Sequence, residues 1–368
     1  MKYLVPIILF LAACGSENKN ETTDIATPET EVESSPNKYE GEDHFGKIIK
    51  LTDGGENAEA YWSFDNKSLV FQRTDKASGL NCDQIYYGPI DAVLKGEREF
   101  AYSMVSTGKG KTTCSYFLPG NKEIVYASTH PSHEECPPEL DRKQYSSYVW
   151  QIHPEFEIFK ADLSGKISHQ YTDNEFYDAE ATVSPRGDLI VFTSDRSGDL
   201  ELYTMNIDGS NVKQITSDLG YDGGAFFSAD GSKIVWRASR PQSAEDQKMY
   251  KDFLADHLVS PSDMEIFIAD VDGSNVVQVT DLGGANWAPY FHPSGEKIIF
   301  CSNHHTKGFP FNLFMINIDG SGLEQITFDE AFDSFPMFSP DGKYLSFSSN
   351  RNNGGGRATN MFVAEWKD

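Results

Sequence analysis

Positive charge is scarce in this sequence. Thirty-one lysines and arginines face 56 aspartates and glutamates, a formal net charge of −25. A chain so acidic offers no basic face for a phosphate backbone, so nucleic acid is not expected as a partner. Long apolar runs are also missing. Leu4 to Leu11 is the longest such stretch, well short of the roughly 20 residues a membrane-spanning helix needs. Helical periodicity is nearly absent, which excludes a helical solenoid. There are only nine histidines and five cysteines, with no H-E-x-x-H and no C-x-x-C. Neither G-x-S-x-G nor a phosphate loop on a strand–helix junction occurs. Catalysis, if present, would have to come from loops brought together by the fold, and a non-enzyme is the expectation.

The beginning of the chain reads as a targeting segment over residues 1–13. Lys2 supplies a positive start, Leu4 to Leu11 an apolar centre, and "LAAC" (11–14) small residues before a cysteine. That box resembles a bacterial lipoprotein signal, which implies cleavage before Cys14 and lipidation of Cys14, a stable membrane anchor when several acyl chains share one residue. Residues 15–43 hold nine acids, two lysines and almost no large apolar side chain. Such a segment cannot bury enough surface to offset its ordering entropy, so residues 14–43 are expected to be a lipidated cysteine and a disordered acidic tether. The remaining body, 44–368, keeps a charge of about −19 and is acidic in its own right. Gly15 stands where some inner-membrane lipoproteins carry an acid, so the expected address is the outer membrane, facing the periplasm or the cell surface.

What the sequence does contain is a repeat. The unit "YDAEATVSPRGDLIVFTSDRSGDLELYTMNIDGSNVKQIT" (177–216) recurs at 222–280 and 286–327, and a copy at 333–366 breaks off early. Two degenerate copies come first, at 57–91 and 112–165. Each unit reads as four short strands: one ending in an "SPDG"-type turn, a second such as "LIVFTS", a third such as "LELYTMNI", then a "DGSN" turn and a short fourth. The last copy lacks its fourth strand, and "GKIIKLT" (46–52) matches "NVKQIT" ahead of the first copy. The reading is an all-β fold, a six-bladed β-propeller of four-stranded blades closed by an N-terminal strand that completes the last blade.

The pattern "SPDG…I.F.S.R.G…LY.M..DGS....QIT" resembles the TolB-type propeller repeats of bacterial envelope proteins over residues 46–366. The resemblance implies the fold and an envelope setting. TolB itself carries an α/β domain ahead of its propeller, and residues 15–43 do not resemble one.

On a propeller, the loops between second and third strands share a rim with the connections between blades, and loops on a rigid scaffold are where binding is usually carried. Aligning the copies gives one polar position before each inner strand: Asn57, Thr112, Asp178, Asp222, Asn286 and Asp333. These can ring a channel mouth and hold a cation or amine, or they can cap tight turns. Arg73, Arg196, Arg237, Arg240 and Arg351 fall in the second-to-third loops, either as partners of those carboxylates or as a clamp for a ligand carboxylate. His304 and His305, in "CSNHHTKGFP" (301–310), occupy the same loop of the fifth copy, with His304 where its neighbours have arginine. Two loops are long, 130–154 and 239–263, and the second carries Met249, Phe253, Leu254 and His257 or Leu258 at helical spacing. Cys82, Cys114 and Cys136 map near one rim, which predicts one disulfide, Cys82–Cys114 or Cys114–Cys136, with Cys301 a buried thiol.

The functional expectation is an envelope-anchored, non-catalytic scaffold, a monomer without a cofactor, that binds a protein or peptide through this rim. One alternative is a lyase or hydrolase of acidic glycans using a divalent metal on His304, His305, His130, His133 and Asp333. Another is an accessory propeller that gates a separate peptidase.

Overall fold

Six four-stranded antiparallel sheets form the body in a computed structural model that describes residues 36–145 and 147–368. The expected signal segment, the Cys14 anchor and the tether up to residue 35 lie outside the described residues. The inner strands are Glu56–Trp62, Thr112–Phe117, Asp178–Val183, Asp222–Phe227, Asn286–Phe291 and Asp333–Phe338. Each packs beside the next, and the sixth packs beside the first, so the ring is closed. Phe45–Lys50 pairs with Asn360–Trp366 as the outermost strand of blade 6, which supplies the strand that the last repeat lacks.

The hairpin chemistry read from the repeats sets the turns. In blades 3 to 6 the turn after the inner strand ends on Gly187, Gly231, Gly295 or Gly342, each in the left-handed region. Blades 1 and 2 use Asn66 (φ 62°) and Asn121 (φ 57°) instead, because asparagine is among the few other residues that tolerate this conformation. The degenerate copies therefore keep the geometry while changing the letter. Each blade buries an aromatic completely: Phe71, Phe117, Phe192, Trp236, Phe300 and Phe347 each come from the second strand of a blade or the end of an inner one. Burying one such side chain contributes about 1.5–3 kcal/mol.

The structured body begins earlier than residue 44. Glu42 is fully buried against Arg351, 3.0 Å away, and Asn37 accepts a hydrogen bond from the same guanidinium through its backbone carbonyl. The buried cation of blade 6 draws in these residues from the stretch read as tether.

The insertion at 239–263 does contain a helix, Ala244–Ala255, capped by Ser243, whose hydroxyl accepts from the Asp246 amide. Tyr250 is its buried residue, whereas Met249 is exposed. The two long insertions meet: Trp150–Gln151 of the first pairs antiparallel with Leu258–Val259 of the second. They bypass blade 3 and form one clasp on the loop-rich rim.

Candidate functional site at the channel mouth

The six aligned polar positions are all fully buried. Asn57 accepts from Arg73 at 2.7 Å, Asp178 from Arg196 at 2.6 Å, Asp222 from Arg240 at 2.7 Å, and Asp333 from Arg351 at 2.7 Å. Asn286 accepts from Ser302, and Thr112 donates to the Asp83 carbonyl. These pairs tie the start of each inner strand to its own blade or the one before, and only Asp333 Oδ1 of this set is left buried without a hydrogen-bond partner among the described residues. Arg237 stands apart from this set. Its Nη2 donates to Glu180 and Tyr221.

His304 shares a hydrogen bond with Ser302 and packs on Phe314, 4.5 Å between ring centres. His130 does the same in blade 2 with Ser128 and Phe159, and Arg196, Arg240 and Arg351 lie over rings at the equivalent place in blades 3, 4 and 6. His304 therefore substitutes for a packing arginine. His305 shares a hydrogen bond with Asn312. Among the described residues, one trio of side chains comes within metal-ligand reach of one another, Glu42, Asp329 and Asp333. The Arg351 guanidinium contacts all three, so a cation already sits there.

The residues that do face the channel lie two positions further along each inner strand. Glu59, Cys114, Glu180, Gly224, Ala288 and Phe335 all have positive φ, from 40° to 61°. Each stands at a register shift between the inner strand and its neighbour, a β-bulge repeated in all six blades. Five of the six are not glycine, and left-handed backbone costs such residues about 1–2 kcal/mol apiece. Strain of this kind, repeated around one opening, is a mark of a functional surface. Gly224 is required for a separate reason: a Cβ there would collide with the Arg237 guanidinium.

Two residues deeper comes a stopper. Tyr61, Tyr116, Phe226 and Tyr290 pack ring against ring, with centroids 5.2–6.4 Å apart. The channel is therefore blind from this side, and above the stopper lies a cavity of about 220 Å³. Glu59, Cys114, Glu180, Tyr221, Arg237 and Lys111 line one side, with Phe156 and Tyr177 among them; Trp150, Trp287 and Phe335 make the other side aromatic. The first insertion supplies Trp150 and Gln151 to the lining, and the second holds them by strand pairing.

The two acids of the polar wall are shifted in opposite directions. Burial pushes the Glu59 carboxyl above the usual range, only partly offset by a hydrogen bond from Tyr61 at 2.7 Å. Burial would raise Glu180 too, but Arg237 at 2.6 Å and donors from Thr193 and Tyr221 hold it below that range. Burial likewise drives the Cys114 thiol well up, so it is protonated rather than a thiolate.

Cys114 is also free, which corrects the expected pairing. The disulfide joins Cys82 to Cys136, with 5.6 Å between their Cα atoms. Cys114 sits on the bulge and faces the channel, whereas Cys82 lies near the start of the third strand of blade 1, Leu80–Pro89, where the blade-2 insertion passes. Cys301 is the expected buried thiol.

The TolB beta propeller domain family matches residues 258–361. A TolB homolog of Chlorobium chlorochromatii is 32% identical over 160 residues, 37% of this chain and 36% of that protein. The body is a TolB-like six-bladed β-propeller. An uncharacterized protein of Agrobacterium fabrum is 27% identical over 150 residues, 39% of this chain and 46% of that one. The matches thus span less than half the length of either relative. A solved structure assigned to TolB in Agrobacterium tumefaciens aligns with a TM-score of 0.55 at 18% identity, covering 87% of this chain and 97% of that one. This last likeness is one of fold.

Proposed function

We propose that this protein is a non-catalytic binding scaffold of the bacterial envelope that holds a protein or peptide on its loop-rich rim. The observation that carries the reading is an arc of aromatic rings on that rim. It runs from Tyr148 to Trp150 and Trp287, then through Phe311 and Phe332 to Phe309, each ring within 6.4 Å of the next. Its ends are open to solvent, with Tyr148 58% and Phe309 61% exposed. Linked aromatics left at a surface favour recognition, since each brings large contact area at low entropy cost. The reading includes a lipid anchor on Cys14 and attachment to the outer membrane as a monomer.

A photo-crosslinking amino acid placed at Phe309 or Tyr148 tests it in envelope extracts, with Val276, exposed just ahead of an outer strand, as control. A discrete adduct from the two rim positions and none from Val276 is the expected result. No adduct, or equal labelling at all three positions, overturns it. Incorporation of labelled palmitate that is lost in Cys14→Ala tests the anchor.

A further inference from the structure

The blind cavity shares Trp150 and Trp287 with the aromatic arc but adds polar groups of its own, and we infer that it is a binding site for the terminal ring of a neutral saccharide. Four observations converge on that ligand class.

The first is charge. The cavity is lined by two acids, Glu59 and Glu180, and two bases, Lys111 and Arg237, a formal sum of zero. A monovalent ion of either sign would enter without a counter-charge, and burying an uncompensated charge costs several kcal/mol. A neutral ligand enters without that penalty.

The second is the division of the walls. Trp287 and Phe335 on one side, with Trp150 from the clasp, face carboxylate, guanidinium, ammonium and phenol groups on the other. A pyranose matches such a pair of walls, because its faces present C–H groups and its edge presents hydroxyls. Each hydroxyl both donates and accepts, as a wall holding Glu59 acceptors beside Arg237 and Lys111 donors requires. Two N–H donors on lining residues, Arg237 Nε and Trp287 Nε1, are buried with no hydrogen-bond partner among the described residues.

The third is depth. The Tyr61, Tyr116, Phe226 and Tyr290 stopper closes the floor. A chain cannot thread through, so the cavity takes an end. The fourth is construction: six bulges hold strained backbone around this one opening, and two insertions pair across a blade to roof it. At about 220 Å³ the space exceeds what a few waters need and suits one sugar ring.

The test is a titration of the intact folded protein with neutral methyl hexopyranosides and N-acetylhexosamines, a hexuronate, and short acidic, basic and aromatic peptides. Binding is read by calorimetry and tryptophan fluorescence. Saturable binding of at least one neutral pyranoside is expected, weakened about tenfold or more in Trp150→Ala and in Glu59→Gln. The milder Trp287→Phe and thermal melts of each variant separate loss of the site from loss of the fold. The inference is overturned if no neutral pyranoside binds, if only the hexuronate or a peptide does, or if Trp150→Ala leaves sugar binding intact. Crosslinking from Phe309 reads the protein partner without reference to sugar, so either result can fail without the other.

Discussion

Trp150, carried on the blade-2 insertion, lies against Trp287 of the fifth inner strand, with ring centroids 6.2 Å apart and planes tilted by 31°. That contact links the clasp to a blade it does not belong to. It explains how a two-residue strand pairing can be held over a channel: the tryptophan is wedged between Tyr221 and Trp287, and Trp150, Ile152, Tyr250 and Val259 of the clasp pack in one core with Ala127, Ala179 and Leu200 of the blades.

The disulfide anchors the other end of this insertion. It closes a stretch of 54 residues, for which chain-entropy arguments give about 4 kcal/mol. Cys82→Ser with Cys136→Ser should lower stability by up to that amount and speed hydrogen exchange over residues 130–154 first. Alkylation in denaturant without reductant should modify Cys114 and Cys301 and spare Cys82 and Cys136. Labelling of Cys82 would contradict the pairing.

Arg351 holds three carboxylates together in a fully buried setting. Arg351→Met should cost about 3–5 kcal/mol at pH 8, because it strands Glu42, Asp329 and Asp333 without a cation. The sign with pH follows from proton uptake. Burial and the nearby Asp333 already raise Asp329 to about 7. Without the arginine, the folded acids bind protons more tightly than the unfolded ones, so the variant regains stability as pH falls. Urea melts at pH 5 and pH 8 should show the defect shrinking at pH 5, and a larger defect at pH 5 would refute this account.

Glu201 has its carboxyl raised to about 8 by burial, despite a hydrogen bond with Thr216, and its Oε2 has no hydrogen-bond partner. An acid raised from 4.5 in this way weakens the fold as pH climbs from 4.5 to 8, where the unfolded chain has lost the proton and the folded one keeps it. Glu201→Gln should therefore gain about 1–2 kcal/mol at pH 8 and nothing at pH 4. Thermal melts across that range decide it.

The bulge ring predicts opposite signs for two small changes. Ala288 has φ 49°, so Ala288→Gly should relieve strain and be neutral or stabilising by about 0.5–1 kcal/mol. Gly224→Ala should destabilise by more than that, since its Cβ meets Arg237. Equal effects in chemical denaturation would mean the ring is not strained as described.

Blades were readable from the sequence because a hairpin turn leaves a local signature of glycine, proline, aspartate or asparagine. Even the closing strand announced itself through "GKIIKLT" and its likeness to "NVKQIT". The site was less legible. Alignment finds the column Asn57, Thr112, Asp178, Asp222, Asn286, Asp333, yet these side chains turn back into the blades. A bulge, two residues against one, presents Glu59, Cys114 and Glu180 to the channel instead, and alternation alone does not locate a bulge. The same column two residues on was available, and its mixture of charged, small and aromatic residues was the missed signal. Both insertions stood out as long loops, but their pairing left no trace because two-residue strands have no period to detect. Cysteine pairing failed as a reading for a related reason: it depended on the path of the 130–154 insertion.

The closing strand also constrains the order in which the molecule can be made. Phe45–Lys50 is synthesised early, but its partner, Asn360–Trp366, emerges more than 300 residues later. Until then five blades can assemble by local hairpins while the first strand waits as an unpaired edge. Sealing the ring is thus the longest-range event in folding and should be its slowest. Substitutions in Phe45 or Phe362 should delay the final phase of refolding and leave the earlier ones unchanged.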